Sequence, residues 1–307
     1  MTDGLTRIVH TPPSAHLIDI LPPGVVLYGA DGAALTQALR YWSRKVIGVD
    51  FMGPLSEIPP AEILESVDVV LYAEGEKELI KNFHRLPRRR VLCRIPSGSG
   101  LFDSIKLVAS LNIVPDLLQN LEEISPEQAL DVVRYYLHHR ALQVPIEPFH
   151  SILSRLVLSQ NLDLWEMARY NPDHFVFLDA EGNVGLSYED LADKRFLGTI
   201  HQDPVSWKKS EVYRDLSRFL NELPQTHPEC LACPFFFFCR GYMRYKRGEC
   251  MTLTAVLEEL RQASVEIYEL RELFADVGQL PAQLEVEEGS RSRTANPQNR
   301  DIRDEPV

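Results

Sequence analysis

The chain has 307 residues, 45% of them hydrophobic and 25% charged, with a formal charge of −12. That is enough apolar content for one large core or two modest ones, under a negative surface that repels nucleic acid and anionic membrane. No stretch approaches the roughly 18 apolar residues a membrane span needs, and the N-terminal residues lack the basic-then-apolar order of a signal peptide. A cytoplasmic protein is therefore expected, in a compartment where clustered cysteines favour a metal over a disulfide.

From residue 24 to residue 120, short apolar runs alternate with segments of helical periodicity. The runs Val25–Tyr28, Val46–Val49, Val67–Leu71 and Val91–Ile95 are β-branched and bounded by Gly, Pro or charge, as buried strands are. A fifth is expected at Ile113-Val114. Between them lie helices over Ala33–Ser43, Pro60–Ser66, Glu76–Phe83 and Phe102–Leu111. Strands recur at roughly 22-residue intervals, which reads as βα units and a parallel sheet, either a partial barrel or an open one.

Ser125, Pro126 and Glu127 supply a cap, a first-turn proline and a favourable charge for a helix running to about Arg140. Val144–Ser159 reads as a turn and an apolar helix. Phe175–Leu178 and Val184–Leu186 flank a Glu-Gly-Asn turn, giving a β-hairpin. A helix over Val205–Leu223 follows, then a cysteine segment, then a long helix from Thr254 toward Asp276. Beyond Glu285 there is little to bury, and a disordered tail is expected.

Four of the five cysteines, Cys230, Cys233, Cys239 and Cys250, fall within 21 positions as C-x2-C-x5-C-x10-C. Four thiolates at such spacing suit a [4Fe–4S] cluster, with zinc as the alternative. The second half is not a zinc knuckle, and a cluster tolerates a three-plus-one arrangement. Phe235–Phe238 would either cover the cluster or form an edge of the core. Arg240, Arg244, Lys246 and Arg247 would either balance its negative charge or be solvated. Cys93 stands apart inside a strand and reads as a buried apolar residue.

The run C-x2-C-x5-C, a Gly-containing turn and a later lone cysteine resemble the SPASM domain of radical S-adenosylmethionine enzymes. The resemblance implies that Cys230, Cys233, Cys239 and Cys250 hold one auxiliary cluster. Met243 stands where the family has a further cysteine. The hairpin around Asp179–Ser187 and the Leu197-Gly198-Thr199-Ile200 segment keep the family's frame without its inner-cluster thiols. The α/β half resembles that family's partial barrel, with Gly29–Leu35 where a cofactor-contacting turn would lie. The radical-generating C-x3-C-x2-C loop is absent from the sequence.

The fold expected is thus a degenerate radical-SAM-like partial (β/α) barrel over residues 1–160. A small SPASM-like α+β iron–sulfur domain with its C-terminal helix follows over 170–280, then the tail over 285–307. The expected role is that of a partner in radical-SAM-dependent peptide or protein maturation, as electron relay or substrate-binding scaffold. It would engage a radical enzyme, a precursor peptide or both, without S-adenosylmethionine, nucleic acid or membrane. Two rivals are a zinc-binding interaction module and a non-radical enzyme using the α/β half with a structural metal.

Asp19, Asp31, Asp50 and Glu74 fall at or near strand ends and would line one mouth if a barrel forms. His150 beside Glu147 is weighed as a functional pair against a hydrogen-bonded structural histidine. His138 and His139 read as solvated. His227 is a spare ligand beside a complete thiol set. The Gly29–Gly32 turn admits a phosphate cradle only as a minority reading.

Overall fold

The computed structural model describes residues 7–276, apart from 73–74, 89–90, 99, 119–120, 122, 162 and 247–249. Six short strands, each followed by helix or turn, build its first half. They are β1 (Ile8–Thr11), β2 (Val25–Gly29), β3 (Val46–Phe51), β4 (Asp68–Tyr72), β5 (Val91–Arg94) and β6 (Val114–Asp116). Each pairs in parallel with its sequence neighbour. Parallel strands are covered on both faces, so their residues read as continuous apolar runs; Val25, Leu27 and Leu71 are fully buried. β1 was not expected, because its Ile-Val-His-Thr run is short and is interrupted by a polar residue.

The connecting helices are α1 (Ala15–Ile20), α2 (Gly32–Trp42), α3 (Ala61–Leu64), α4 (Glu76–Asn82) and α5 (Leu101–Ser110). α2 shows why they form where they do. Asp31 caps it, accepting from the amides of Ala33 and Ala34 at 2.9 and 3.0 Å. Its Leu35, Ala38 and Leu39 face the core at helical spacing. Only glycine fits at position 32, where a Cβ would lie 1.6 Å from the Glu57 carbonyl oxygen. The Asp31 carboxylate already occupies the amides a phosphate would use, so this turn is a helix cap and not an anion cradle.

α6 (Pro126–His138) starts on the expected residue, with Ser125 and Gln128 forming a reciprocal capping box. α7 (Phe149–Val157) and α8 (Leu164–Met167) lead to β7 (Phe175–Leu178). β7 does not open a separate sheet. It pairs in parallel with β1, matching Ile8 to Phe175 and His10 to Phe177. β8 (Asn183–Gly185) and β9 (Gly198–Thr199) then add antiparallel strands. The hairpin turn is fixed by Asp179, whose Oδ1 accepts from the amides of Glu181 and Asn183. The result is one nine-stranded mixed sheet, ordered β6-β5-β4-β3-β2-β1-β7-β8-β9.

α9 (Tyr188–Ala192) lies between β8 and β9, and α10 (Pro204–Trp207) and α11 (Glu211–Thr226) divide the single helix expected there. Ser210 caps the second piece through the Tyr213 amide. The cysteine segment folds as α12 (Pro228–Ala232), α13 (Phe236–Cys239) and α14 (Tyr242–Tyr245), before α15 (Cys250–Asp276). Residues through Val265 form one compact unit and those from Glu266 a second. The tail expected after Glu285 lies outside the described residues.

Candidate functional site

Parallel α/β sheets present their chemistry at the carboxyl ends of the strands. Here each of the first six strands ends on a polar or aromatic residue at its last or second-to-last position. These are His10, Tyr28, Asp50, Tyr72, Arg94 and Asp116. The strand registers pair Tyr28 with Asp50, Tyr72 with Arg94 and Arg94 with Asp116, placing them on one face.

The residues meet in two groups. In the first, Asp50 is the hub, with 1% of its surface exposed. Tyr188, at the start of α9, donates to Asp50 Oδ2 at 2.7 Å. His10 Nδ1 lies 3.0 Å from the Tyr188 hydroxyl and 3.2 Å from the same carboxylate oxygen. Arg169 reaches both carboxylate oxygens at 3.4 and 3.5 Å. The His10 ring stacks on Phe177 at 4.4 Å, and Tyr28 packs edge-on against Tyr188 at 4.6 Å. Tyr28 donates to the Leu178 carbonyl at 2.5 Å. Tyr188 thus touches Phe177 of β7, His10 of β1, Tyr28 of β2 and Asp50 of β3.

In the second group, Arg94 Nε donates to Asp116 Oδ2 at 3.3 Å, and Arg94 also bonds the Tyr72 hydroxyl. Asp116 bridges in parallel to Glu147, whose carboxylate accepts from the Ser151 amide.

Charge states differ between the two groups. Burial alone would push the Asp50 carboxyl up, but the His10 hydrogen bond and the Arg169 cation outweigh it and hold it well below the usual range. Burial lowers His10 despite Asp50, so its ring is neutral. Burial, with Asp116 adding to it, raises the Glu147 carboxyl against the pull of Ser151 and His150. One mouth therefore holds a carboxylate kept ionised and a carboxyl kept toward its protonated form.

Of the four acids expected here, Asp50 alone is part of this arrangement. Asp31 caps α2, Asp19 accepts from the Trp42 indole at 2.7 Å, and Glu74 lies outside the described residues. His150 meets the Tyr136 hydroxyl at 3.0 Å, the structural alternative. His10, Arg94, Asp116, Arg169 and Tyr188 were missed. A signal for two of them was present: Tyr28, Asp50, Tyr72, Arg94 and Asp116 are each separated from the next by 22 positions.

The second candidate is the cysteine segment. Cys230, Cys233, Cys239 and Cys250 all line one cavity of about 200 Å³, with Glu229, Arg244, Phe235 and Leu257 among its walls. The spacing does bring the four together. The iron–sulfur cluster and its zinc alternative are nevertheless corrected: among the described residues, no three His, Cys, Asp or Glu side chains are grouped to hold a metal ion. All five cysteines are free thiols. Burial raises Cys230, Cys239 and Cys250, favouring the protonated thiol over the thiolate that binds metal. The electron-carrier role that depended on a cluster falls with it.

The surroundings of the quartet are core and surface. Phe238 is fully buried, Phe235 is nearly so, and Phe237 is 58% exposed. Met243 is buried. Arg240 pairs with Asp163, Arg244 with Glu229 and Lys246 with Glu189, at 2.9 to 3.2 Å. Arg247 lies outside the described residues. Cys93 is buried in β5, as expected.

The parallel βα units, the antiparallel strands added to their sheet and the C-terminal helices form an α/β fold that matches a radical-SAM-like plus SPASM-like architecture. Among solved structures, native anSMEcpe with bound AdoMet and Kp18Cys peptide matches with a TM-score of 0.50 and 12% identity. The match covers 86% of this chain and 99% of that one. Hexahistidine-tagged anSMEcpe with bound AdoMet matches at 0.47 and 12% identity, covering 83% and 87%. Streptococcus suis SuiB matches at 0.38 and 13%, covering 74% and 64%. No family model and no curated protein sequence matches the chain. Among the described residues, no helix is long and apolar enough to cross a membrane.

Proposed function

We propose that the chain is a peptide-binding partner in a maturation system whose radical chemistry is carried by another enzyme. The observation that carries this is the fold match. It extends over 99% of a structure that binds a peptide and AdoMet, while this sequence lacks the three-cysteine loop needed to start radical chemistry. Of the two roles considered, relay and scaffold, the scaffold needs no metal. The polar mouth around Asp50 supports it by gathering hydrogen-bonding side chains at the carboxyl ends of the parallel strands.

The test is reconstitution with a radical enzyme and a precursor peptide from the same genome. The chain is expected to bind the peptide by calorimetry and to raise the rate of its modification. Equal rates with and without it, together with no detectable binding to either component, would sink the reading.

A second reading, an enzyme working at the same mouth without radicals, is favoured by one observation: two carboxyls whose surroundings drive their protonation apart, Asp50 down and Glu147 up. Turnover by the chain alone that is abolished in Glu147→Gln would favour it over the scaffold.

A further inference from the structure

His10 Nε2 is a buried nitrogen with no hydrogen-bond partner among the described residues. Its protonation follows from counting protons around Asp50. Tyr188 has one hydroxyl proton, directed to the Asp50 carboxylate at 2.7 Å. His10 Nδ1 lies near the Tyr188 oxygen and the same carboxylate oxygen, so it carries the ring proton and donates to them. The ring is neutral, which leaves a lone pair on Nε2. A carboxylate on Nδ1 with Nε2 left open is the arrangement that fixes a histidine tautomer for work at its other nitrogen.

We propose that His10 Nε2 is the acceptor of a ligand subsite within the mouth, and that it takes a neutral donor, an amide N–H or a hydroxyl of a peptide side chain. The charges around it select that class. An anion would face the lone pair directly. A cation would be repelled by Arg94 and Arg169, both near enough to act on the His10 ring. Their own counter-ions, Asp116 and Asp50, are already engaged. A neutral donor meets the lone pair at no charge penalty and removes the cost of a buried, unmatched acceptor. Of these three side chains Arg169 is the one that reaches solvent, 33% exposed against 0% for His10 and 2% for Asp50. The ligand's being a peptide rests on the function proposed above; the donor chemistry rests on the cluster alone.

The experiment is long-range ¹H–¹⁵N NMR on the full chain carrying ¹⁵N-histidine. His10→Gln assigns the resonance by its loss. Tyr188→Phe gives a second assignment should that variant fail to fold, because it keeps the Nδ1–Asp50 contact and perturbs His10 specifically. Nε2 is expected at the unprotonated, non-hydrogen-bonded position. Acetamide or methanol should move it upfield and saturably, while acetate and methylammonium leave it in place. A proton already on Nε2, no response to either neutral probe, or a response to acetate or methylammonium matching theirs overturns the proposal. If acetamide moves the resonance but no precursor peptide binds, the partner function fails and the subsite stands.

Discussion

The mouth of the sheet and the cysteine cavity are opposites in how they announce themselves and in what they build. The cysteines are crowded in sequence, and they arrive around one cavity of about 200 Å³, yet they form no metal-holding group among the described residues. The mouth residues are scattered from His10 to Tyr188, yet they close into a 2.7 Å hydrogen bond from Tyr188 to Asp50, a 3.2 Å contact of His10 with Asp50 and ion pairs of 3.3 and 3.4 Å. Proximity in sequence is therefore a weaker guide to a working constellation than position along a repeated βα unit. The strand ends place the groups, and burial of Asp50 forces each neighbour to satisfy it.

The sharpest way to break this comparison is to remove one hub from each region. Asp50→Ala leaves Arg169 and the Tyr188 hydroxyl without their carboxylate inside the core, and is expected to cost about 3–5 kcal/mol of stability. Cys230→Ala removes one sulfur at the edge of a cavity and is expected to cost about 1 kcal/mol. Urea unfolding of both variants reads the difference directly. A larger loss from Cys230→Ala would mean that the cysteine region, not the mouth, holds the fold together.

Legibility in the sequence follows the same division. The strands from Val25 to Arg94 were readable because parallel strands carry unbroken apolar runs, and α6 because Ser125 is a strong cap signal; Asp31, expected at the mouth, caps α2 instead. β1 was not, since His10 interrupts its apolar run, and that interruption is the residue that meets Asp50. Asp50 was readable as a strand-end acid. Arg169 was not, because it sits in a turn with no periodic pattern and reaches Asp50 only through the fold, 119 positions away. The cysteine spacing pointed to a set of metal ligands; the four cysteines line one cavity, but they form no metal-holding group among the described residues. Spacing says nothing of how the short helices α12 and α13 and the start of α15 aim these sulfurs, or how far burial holds Cys230, Cys239 and Cys250 as thiols.

A milder cut tests whether the mouth is a network or a single ion pair. Tyr188→Phe removes only a hydroxyl, the one that donates to Asp50 at 2.7 Å. It keeps the edge contacts of its ring with Tyr28 and Phe177. Loss of a hydrogen bond to a charged group is expected to cost about 1.5–3 kcal/mol. Double-mutant analysis with Arg169→Ala should give a non-additive loss; strict additivity would split the mouth into independent pairs.

Acidification should act on the mouth in two stages. His10 has a folded pKa below its unfolded value of 6.5, so the unfolded chain binds more protons as pH falls. The stability this neutral ring supports is complete above pH 6.5 and declines as pH drops through that value toward the folded pKa. Asp50 is also depressed, relative to 3.8. Its contribution is complete above that value and is lost as pH falls further. Unfolding midpoints measured from about pH 8 down to about pH 4 should show the first stage in the wild-type chain, with a reduced slope in His10→Gln. An unchanged slope would place the titrating group elsewhere; Asp116, Glu147, Arg94 and Arg169 complete the set of charges facing the mouth.

The smallest expected effect concerns the thiols. Burial raises Cys230, Cys239 and Cys250, so each reacts through a small thiolate fraction at neutral pH and should gain rate as pH rises. Cys93 is 1% exposed within β5, and no change of pH short of unfolding brings a reagent to it. Maleimide labelling followed by mass spectrometry should therefore show two classes: Cys230, Cys239 and Cys250, whose rates climb with pH in the folded protein, and Cys93, whose rate tracks global opening. Stabilising or destabilising the mouth should change the rate at Cys93 strongly and the quartet rates little, since Cys93 lies in the same parallel sheet as Asp50. If Asp50→Ala accelerates both classes equally, the two regions open as one cooperative unit, and the contrast between them is one of chemistry alone.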